Sequence, residues 1–200
     1  MKKRLLWAGM AISVLLFSGS AHATTIDFSS TNKTTYTSLS FTDFSITFSG
    51  GDGKFQVRDT SLDPFPPISG NALYSGNNPV AGIFNLSFND NVTVKDFSID
   101  VGGGRFHNGE YLRAYDAAWN LLGSDRCDLP VWASRGDTMS ISSNTAIKYL
   151  QFWDTGLFAN SVYWDNITYT VAAPVPEPAT MLLLGTGLAG LVGARRKKIV

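Results

Sequence analysis

Three aromatic residues, Trp119, Tyr149 and Trp153, have the type and spacing to stack on sugar rings. Flat aromatic rings pack on the apolar C–H face of a pyranose, and a few amide or carboxylate groups complete such sites. Tyr149 and Trp153 are four residues apart in a strand-like segment, which places them on one face, opposite Leu150 and Phe152. Trp119 lies in a turn. We predict a carbohydrate-binding surface on these three residues; the alternative is that the rings of Trp119 and Trp153 belong to the core.

Four aspartates lie in or beside turns and are candidate calcium ligands: Asp52, Asp59, Asp63 and Asp165. Calcium takes roughly six to eight oxygen ligands, which carboxylates and backbone carbonyls at sheet ends supply. The sequence contains no Asp-x-Asp-x-Asp-Gly loop. The prediction is therefore no cofactor, with a structural calcium ion at these aspartates as the alternative.

Groups suited to catalysis are scarce. Once a leader containing His22 is removed, His107 is the single histidine, so a site built from several histidines is excluded. Neither His107 nor Cys127 lies in a nucleophile motif. Glycoside cleavage needs two carboxyl groups, and Glu110 is the single glutamate of the central region. We predict no catalytic residues and no enzyme; the alternative is a polysaccharide-active hydrolase or lyase that uses Glu110 with an aspartate.

Charge and cysteine content narrow the class of protein further. Residues 24–173 hold nine basic and fifteen acidic side chains, a formal charge of −6, which gives no electrostatic basis for binding nucleic acid. Cys127 is the only cysteine, so no intramolecular disulfide forms. We interpret Cys127 as a partly buried apolar residue, with a disulfide between two chains as the alternative.

The central region has strand character throughout, because Val, Ile, Thr and aromatic residues alternate with Gly, Asn, Asp and Pro clusters. It predicts an all-β, two-sheet sandwich resembling a jelly roll in one domain, residues 24–173. A turn is expected at 116–120, a turn at the glycines 102–104, a long loop at 59–79, and a bulge at 165–166, where the inward-facing parity changes. The predicted strands are 25–29, 41–49, 54–59, 80–88, 92–101, 110–115, 120–123, 138–142, 147–153 and 162–171.

The N-terminal residues have the pattern of a secretory signal peptide. A basic start, Lys2 to Arg4, precedes an apolar segment, Leu5 to Phe17, and the small-residue sequence Ala21-His22-Ala23. This order predicts cleavage after Ala23 and export across the inner membrane.

The C-terminal segment, residues 174–200, has three parts. A Pro-rich tetrapeptide (Val175, Pro176, Glu177, Pro178) precedes an uncharged run, Ala179 to Ala194, and a basic tail (Arg195, Arg196, Lys197, Lys198). Sixteen helical residues extend about 24 Å, so we predict a short transmembrane helix whose flanking basic side chains snorkel to the headgroups. The basic tail would stay in the cytoplasm.

These three parts, in this order, resemble the PEP-CTERM sorting signal of bacteria that make exopolysaccharide. The resemblance implies processing by exosortase, a transient inner-membrane anchor facing the periplasm, and then transfer to the cell surface or the biofilm matrix. Two segments, 111–124 and 164–169, also resemble the jelly-roll bodies of PEP-CTERM proteins and, more distantly, carbohydrate-binding modules. The expected function is a structural or adhesion module that contacts exopolysaccharide.

Overall fold

The computed structural model describes residues 21–61, 67–75, 82–103, 108–129, 136–155, 162–172 and 184–188. Residues 21–172 form one compact unit. Its described part contains thirteen β-strands. The first six are β1 His22–Ile26, β2 Thr35–Tyr36, β3 Ser38–Ser40, β4 Phe44–Ser49, β5 Phe55–Asp59 and β6 Asn71–Tyr74. The other seven are β7 Ile83–Phe88, β8 Val94–Gly103, β9 Asn108–Tyr115, β10 Leu121–Leu129, β11 Asp137–Ile147, β12 Tyr149–Asp154 and β13 Val162–Val171.

The strands form two antiparallel sheets, which confirms the all-β sandwich. The first sheet has seven strands, with β11-β8-β13-β6-β5-β2 in order and β1 paired to β13. The second has six, in the order β10-β9-β12-β7-β4-β3. Strand β13 is central to the first sheet, because β8 pairs along one side while β6 and β1 share the other. Strand β12 holds the same position in the second sheet, between β9 and β7.

The core lies between the sheets and is rich in aromatic rings. Phe152 of β12 meets Trp164 of β13 with ring centroids 5.0 Å apart, and Phe55 of β5 meets Phe84 of β7 at 5.5 Å. All four rings are buried. At about 25 cal/mol per Å² of apolar surface removed from water, these rings are a principal source of stability in a domain without an internal disulfide.

Two local predictions are confirmed. The β8–β13 register shifts between Asp165 and Thr168, and Asn166 has a φ of 48°, so a bulge changes the inward parity where the sequence indicated. Residues 116–120 connect β9 to β10 as a hairpin turn, closed by the N–H of Asp116 donating to the Asn120 carbonyl at 3.1 Å.

Two others are wrong. Gly102 and Gly103 belong to β8 and pair with Tyr163 and Val162, so these glycines extend a strand instead of forming a turn. The expected loop 59–79 contains β6, a strand that its proline- and glycine-rich surroundings obscured. Gly104, His107 and most of the remaining loop lie outside the described residues.

The termini are described only in small part. Residues 1–20, with most of the predicted signal peptide, are outside the described range, as are Val175 to Pro178 and Arg195 to Lys198. Residues 184–188 are helical and exposed. Among the described residues, no helix combines the length and the apolar character needed to cross a bilayer.

Candidate functional site

The outer face of the second sheet presents aromatic side chains in ordered positions. Along β12, burial alternates strictly: Leu150, Phe152 and Asp154 are buried, while Tyr149, Gln151 and Trp153 are partly exposed. Tyr149 and Trp153 therefore do share the outward face, as their spacing predicted. The rings that point outward here are additional to a core that is already filled with phenylalanines.

The hairpin turn places Trp119 on this same face. The Asp116 carboxylate accepts hydrogen bonds from the backbone N–H of Ala118 at 2.8 Å and of Asn120 at 2.9 Å, and its second oxygen accepts from the Asn120 amide at 2.9 Å. These bonds lower the pKa of Asp116. The turn holds Trp119 at a φ of 63° with 53% of its surface exposed. Left-handed backbone is unusual for a bulky residue and costs of order 1 kcal/mol.

Five rings form two stacked groups on this surface, which we call the aromatic face. In the first group, Trp119 lies flat on Tyr149, with centroids 4.2 Å apart and planes 9° apart, and Tyr115 adjoins at 5.4 Å. In the second, Tyr111 and Trp153 stack at 5.2 Å and 10°. Since Tyr149 and Trp153 are four residues apart on one strand, the groups lie about 13 Å from each other. A ligand that touches both must be longer than one sugar ring.

Polar side chains occupy the space between the two groups. Arg113 of β9 is the register partner of Gln151 of β12, which in turn lies opposite Asn85 of β7. The Gln151 amide donates to the Asn85 oxygen at 3.0 Å. The Arg113 guanidinium lies over the Trp153 ring, with its central carbon 5.1 Å from the ring centroid. Aromatic planes flanking a row of amide and guanidinium groups can stack on sugars and hydrogen-bond their hydroxyls.

A second arginine borders the aromatic face and is already paired. The Arg126 guanidinium stacks on Tyr111 at 5.2 Å and donates to the Asp128 carboxylate at 2.6 Å. That bond and the charge of Asp128 raise the pKa of Arg126. Both partners of this ion pair are more than half exposed, so solvent screens much of its energy.

Sequence reasoning found three of the five rings and missed Tyr111, Tyr115 and Arg113. Their alternation on β9 with the buried Leu112 and Ala114 was a usable signal for a shared outer face. Their position beside β12 could not be predicted in this way, because sequence periodicity does not say which strands are neighbours. The structure places all three predicted sugar-binding residues on one face of the second sheet, with Trp119 and Tyr149 in one stack and Trp153 in the other.

The four candidate calcium ligands have separate surroundings. Asp52 pairs with Lys54 at 3.4 Å and Asp59 with Lys33 at 2.8 Å. Asp165 is buried at the β13 bulge, and Asp63 lies outside the described residues. Across the described ranges, no three acidic, histidine or cysteine side chains are grouped as metal ligands would be. The calcium ion remains the alternative stated from the sequence.

The carboxylate of the enzymatic alternative is inside the protein. Glu110 is completely buried and lies opposite the buried Asp154 in the β9–β12 pairing. Its Oε2 is 3.7 Å from the Cys127 sulfur, and Cys127 packs against the core. Burial, followed by the charge of Glu110, raises the pKa of the Cys127 thiol. A polysaccharide on the surface does not reach Glu110.

Comparisons of the fold with solved structures give distant likenesses. The K2 cleaved adhesin domain of Lys-gingipain is 10% identical, with a TM-score of 0.49 over 74% of this chain and 99% of that one. The family 29 carbohydrate-binding module CBM29_1 from Piromyces equi is 14% identical, with a TM-score of 0.45 over 76% and 91%. The C-terminal CBM6 of LamC from Zobellia galactanivorans is 12% identical, with a TM-score of 0.39 over 74% and 99%. Likenesses at this level assign no ligand.

Comparison by sequence is informative at the C-terminal end. No curated protein matches the chain. Residues 174–197 match the PEP-CTERM protein-sorting motif, the segment in which Pro176, Glu177 and Pro178 carried the resemblance. The chain therefore carries a PEP-CTERM motif at its C-terminal end, the mark of an exported protein that is sorted to the surface.

Proposed function

We propose that this protein is a non-enzymatic module of the cell surface or extracellular matrix that binds polysaccharide through the aromatic face. The observation that carries the proposal is the pair of ring stacks on the outward side of the second sheet, Trp119 on Tyr149 and Tyr111 on Trp153. The PEP-CTERM motif supports a location where polysaccharide is available.

The conformation of Trp119 argues that this ring serves a ligand. A glycine would occupy its left-handed backbone position without strain, and the core does not need the ring, which is 53% exposed. Large apolar side chains held on a surface at a conformational cost are typical of binding sites. Stacking on Tyr149 holds the Trp119 ring in one position, so this side chain loses little conformational entropy when a sugar binds.

The sorting pathway is part of the proposal. The chain would be exported by its signal peptide, cleaved after Ala23, and held in the inner membrane by its C-terminal helix with residues 24–173 in the periplasm. Exosortase would then process the segment that begins near Val175, and the protein would join the exopolysaccharide matrix. The supporting facts are the matched motif and the basic residues that follow the apolar run.

Binding is tested with full-length protein in detergent against immobilised polysaccharides and their oligosaccharides. Trp119→Gly should weaken binding by at least about tenfold, because it removes one stacking plane. Its thermal stability should change little, since relief of the left-handed backbone offsets the lost ring contact. Leu121→Ala is the control for loss of an exposed apolar side chain at the same hairpin: Leu121 is 57% exposed and is the register partner of Tyr115, but it supplies no aromatic plane. Equal affinities for wild type and Trp119→Gly on every retained glycan would refute the assignment.

Sorting is tested by intact mass of the native protein from wild-type and exosortase-deficient cells. A C terminus lost near Pro176 to Pro178 in wild type alone supports exosortase processing. A full-length C terminus in both strains would instead show a plain membrane anchor.

A further inference from the structure

The charge pattern of the aromatic face indicates what kind of polysaccharide it binds. From the register, the outward residues of β7, β9, β10 and β12 carry three charged groups: Arg113, Arg126 and Asp128. Arg126 and Asp128 form an ion pair at 2.6 Å. Arg113 has no carboxylate within ion-pair distance among the described residues. The strand positions of this surface therefore carry one positive charge that has no ion-pair partner, on a body whose formal charge is −6; the exposed Asp116 carboxylate lies in the adjoining hairpin turn.

The geometry of Arg113 leaves its hydrogen-bonding edge available. The central carbon of the guanidinium lies 5.1 Å from the Trp153 ring centroid, and a guanidinium in a cation–π contact keeps N–H donors for a further acceptor. A carboxylate is planar with two oxygen acceptors and a sulfate ester is tetrahedral with three terminal ones, so a guanidinium can bind either group in a bidentate manner. Gln151 lies beside Arg113 in register and donates to Asn85, which leaves the Gln151 carbonyl oxygen to accept from a sugar hydroxyl.

We infer that the aromatic face binds an anionic polysaccharide, with Arg113 on the carboxylate or sulfate of one sugar and the two ring stacks on the sugars to either side. This inference rests on the proposed polysaccharide binding and specifies its substrate class. The position of Arg113 between the stacks, about 13 Å apart, fits a charged sugar flanked by stacked ones. At physiological salt, charges are screened over roughly 8–10 Å, so a ligand on the aromatic face interacts more strongly with Arg113 than with acidic residues elsewhere on the body.

The experiment compares three polymers as probes: polygalacturonate for carboxylate, a sulfated galactan for sulfate ester, and laminarin as a neutral glycan. Full-length protein in detergent should retain one or both acidic polymers more tightly than laminarin, and added salt should weaken that preference. The acidic polymer that is retained identifies which substituent the guanidinium recognises.

Arg113→Gln should lower affinity for the acidic polymer by about tenfold to a hundredfold, the effect of a charge-assisted hydrogen bond, and lower laminarin binding by much less, because a glutamine amide still donates to a sugar hydroxyl. The double variant Arg126→Gln with Asp128→Asn is the matched control, because it removes an arginine from the same face without changing the net charge; its effect should stay below about threefold. Circular dichroism verifies that each variant is folded.

The outcomes separate the two proposals. Equal binding of neutral and acidic polymers would overturn the anionic specificity while polysaccharide binding stands, and so would equal effects of Arg113→Gln and the Arg126→Gln, Asp128→Asn double variant. Failure of wild type to retain any polymer would overturn both. The result expected is weaker binding to all polymers on Trp119→Gly and, on Arg113→Gln, a loss that is much larger for the acidic polymer than for laminarin.

Discussion

Asp165 gives a strong expectation for how stability depends on pH. The side chain is 1% exposed, at the bulge in β13, and neither of its carboxylate oxygens accepts a hydrogen bond of good geometry. Burial raises the pKa of Asp165 from 3.8 to about 7, against the lowering effect of the Asn166 and Ser69 N–H groups. The charges of Asp27, which follows β1, and Asp100, its register partner on β8, raise it further.

The sign follows from proton linkage. Between about pH 4 and pH 7 the folded protein holds a proton on Asp165 that the unfolded chain has released, so stability falls as pH rises through this window. Above about pH 7, Asp165 is ionised in both the folded and the unfolded protein, and the full free-energy cost of burying its charge remains. A pKa change from 3.8 to about 7 corresponds to roughly 4 kcal/mol. Because the asparagine amide also loses hydration when it is buried, we expect Asp165→Asn to recover about 2–4 kcal/mol at alkaline pH and little at about pH 4.

Urea unfolding followed by tryptophan fluorescence measures the effect, with wild type and Asp165→Asn compared at about pH 4.5, 6 and 8. Asp116→Asn is the control, since hydrogen bonds lower the pKa of Asp116, which is exposed in the hairpin turn. Its substitution should destabilise the protein near neutral pH instead. A difference between wild type and Asp165→Asn that does not change with pH would refute the reasoning.

The same variant tests the proposed calcium ion. A calcium ion held by Asp165 would neutralise the buried carboxylate, so added calcium should stabilise wild type at about pH 8 and leave Asp165→Asn unaffected. Equal responses of the two proteins would remove Asp165 from the list of calcium ligands.

Three further predictions concern other positions. Cys127 should react with a thiol reagent near pH 7 far more slowly in folded than in urea-unfolded protein, because burial raises its pKa; equal rates would contradict this. Gly136→Ala should lower the melting temperature by several degrees, since the new Cβ would overlap the Val101 carbonyl oxygen, whereas Gly70→Ala meets no atom within 4 Å and loses stability only through its φ of 77°. Asn166→Gly should cost about 1–3 kcal/mol in urea unfolding, because it removes the 2.8 Å hydrogen bond to Asp100 but keeps the left-handed backbone; an unchanged midpoint would show that this bond contributes nothing.

The parts of the fold that sequence could predict are those set by local pattern. The change of parity near Asp165 predicted the bulge, and the Asp116 to Asn120 segment predicted the hairpin, because both depend on residues adjacent in the chain. Strand β6 was missed, since its four residues lie in a stretch rich in proline and glycine and become a strand by pairing with β5 and β13. Tertiary pairing overrides local propensity there.

In the candidate site, too, local pattern predicts which residues share a face, whereas strand pairing decides which of them are neighbours. Period-two alternation is enough to place Tyr149 and Trp153 on one face of β12, and it would place Tyr111 and Arg113 on one face of β9. That Tyr111 stacks on Trp153, and that Arg113 stands between two ring stacks, depends on β9 lying beside β12 in a particular register. Register is set by which strand faces become buried in the sandwich. The residues of the aromatic face on β9 and β12 are therefore brought side by side by the packing of the core beneath these strands. Core variants that shift the β9–β12 register should abolish binding without altering any residue of the aromatic face.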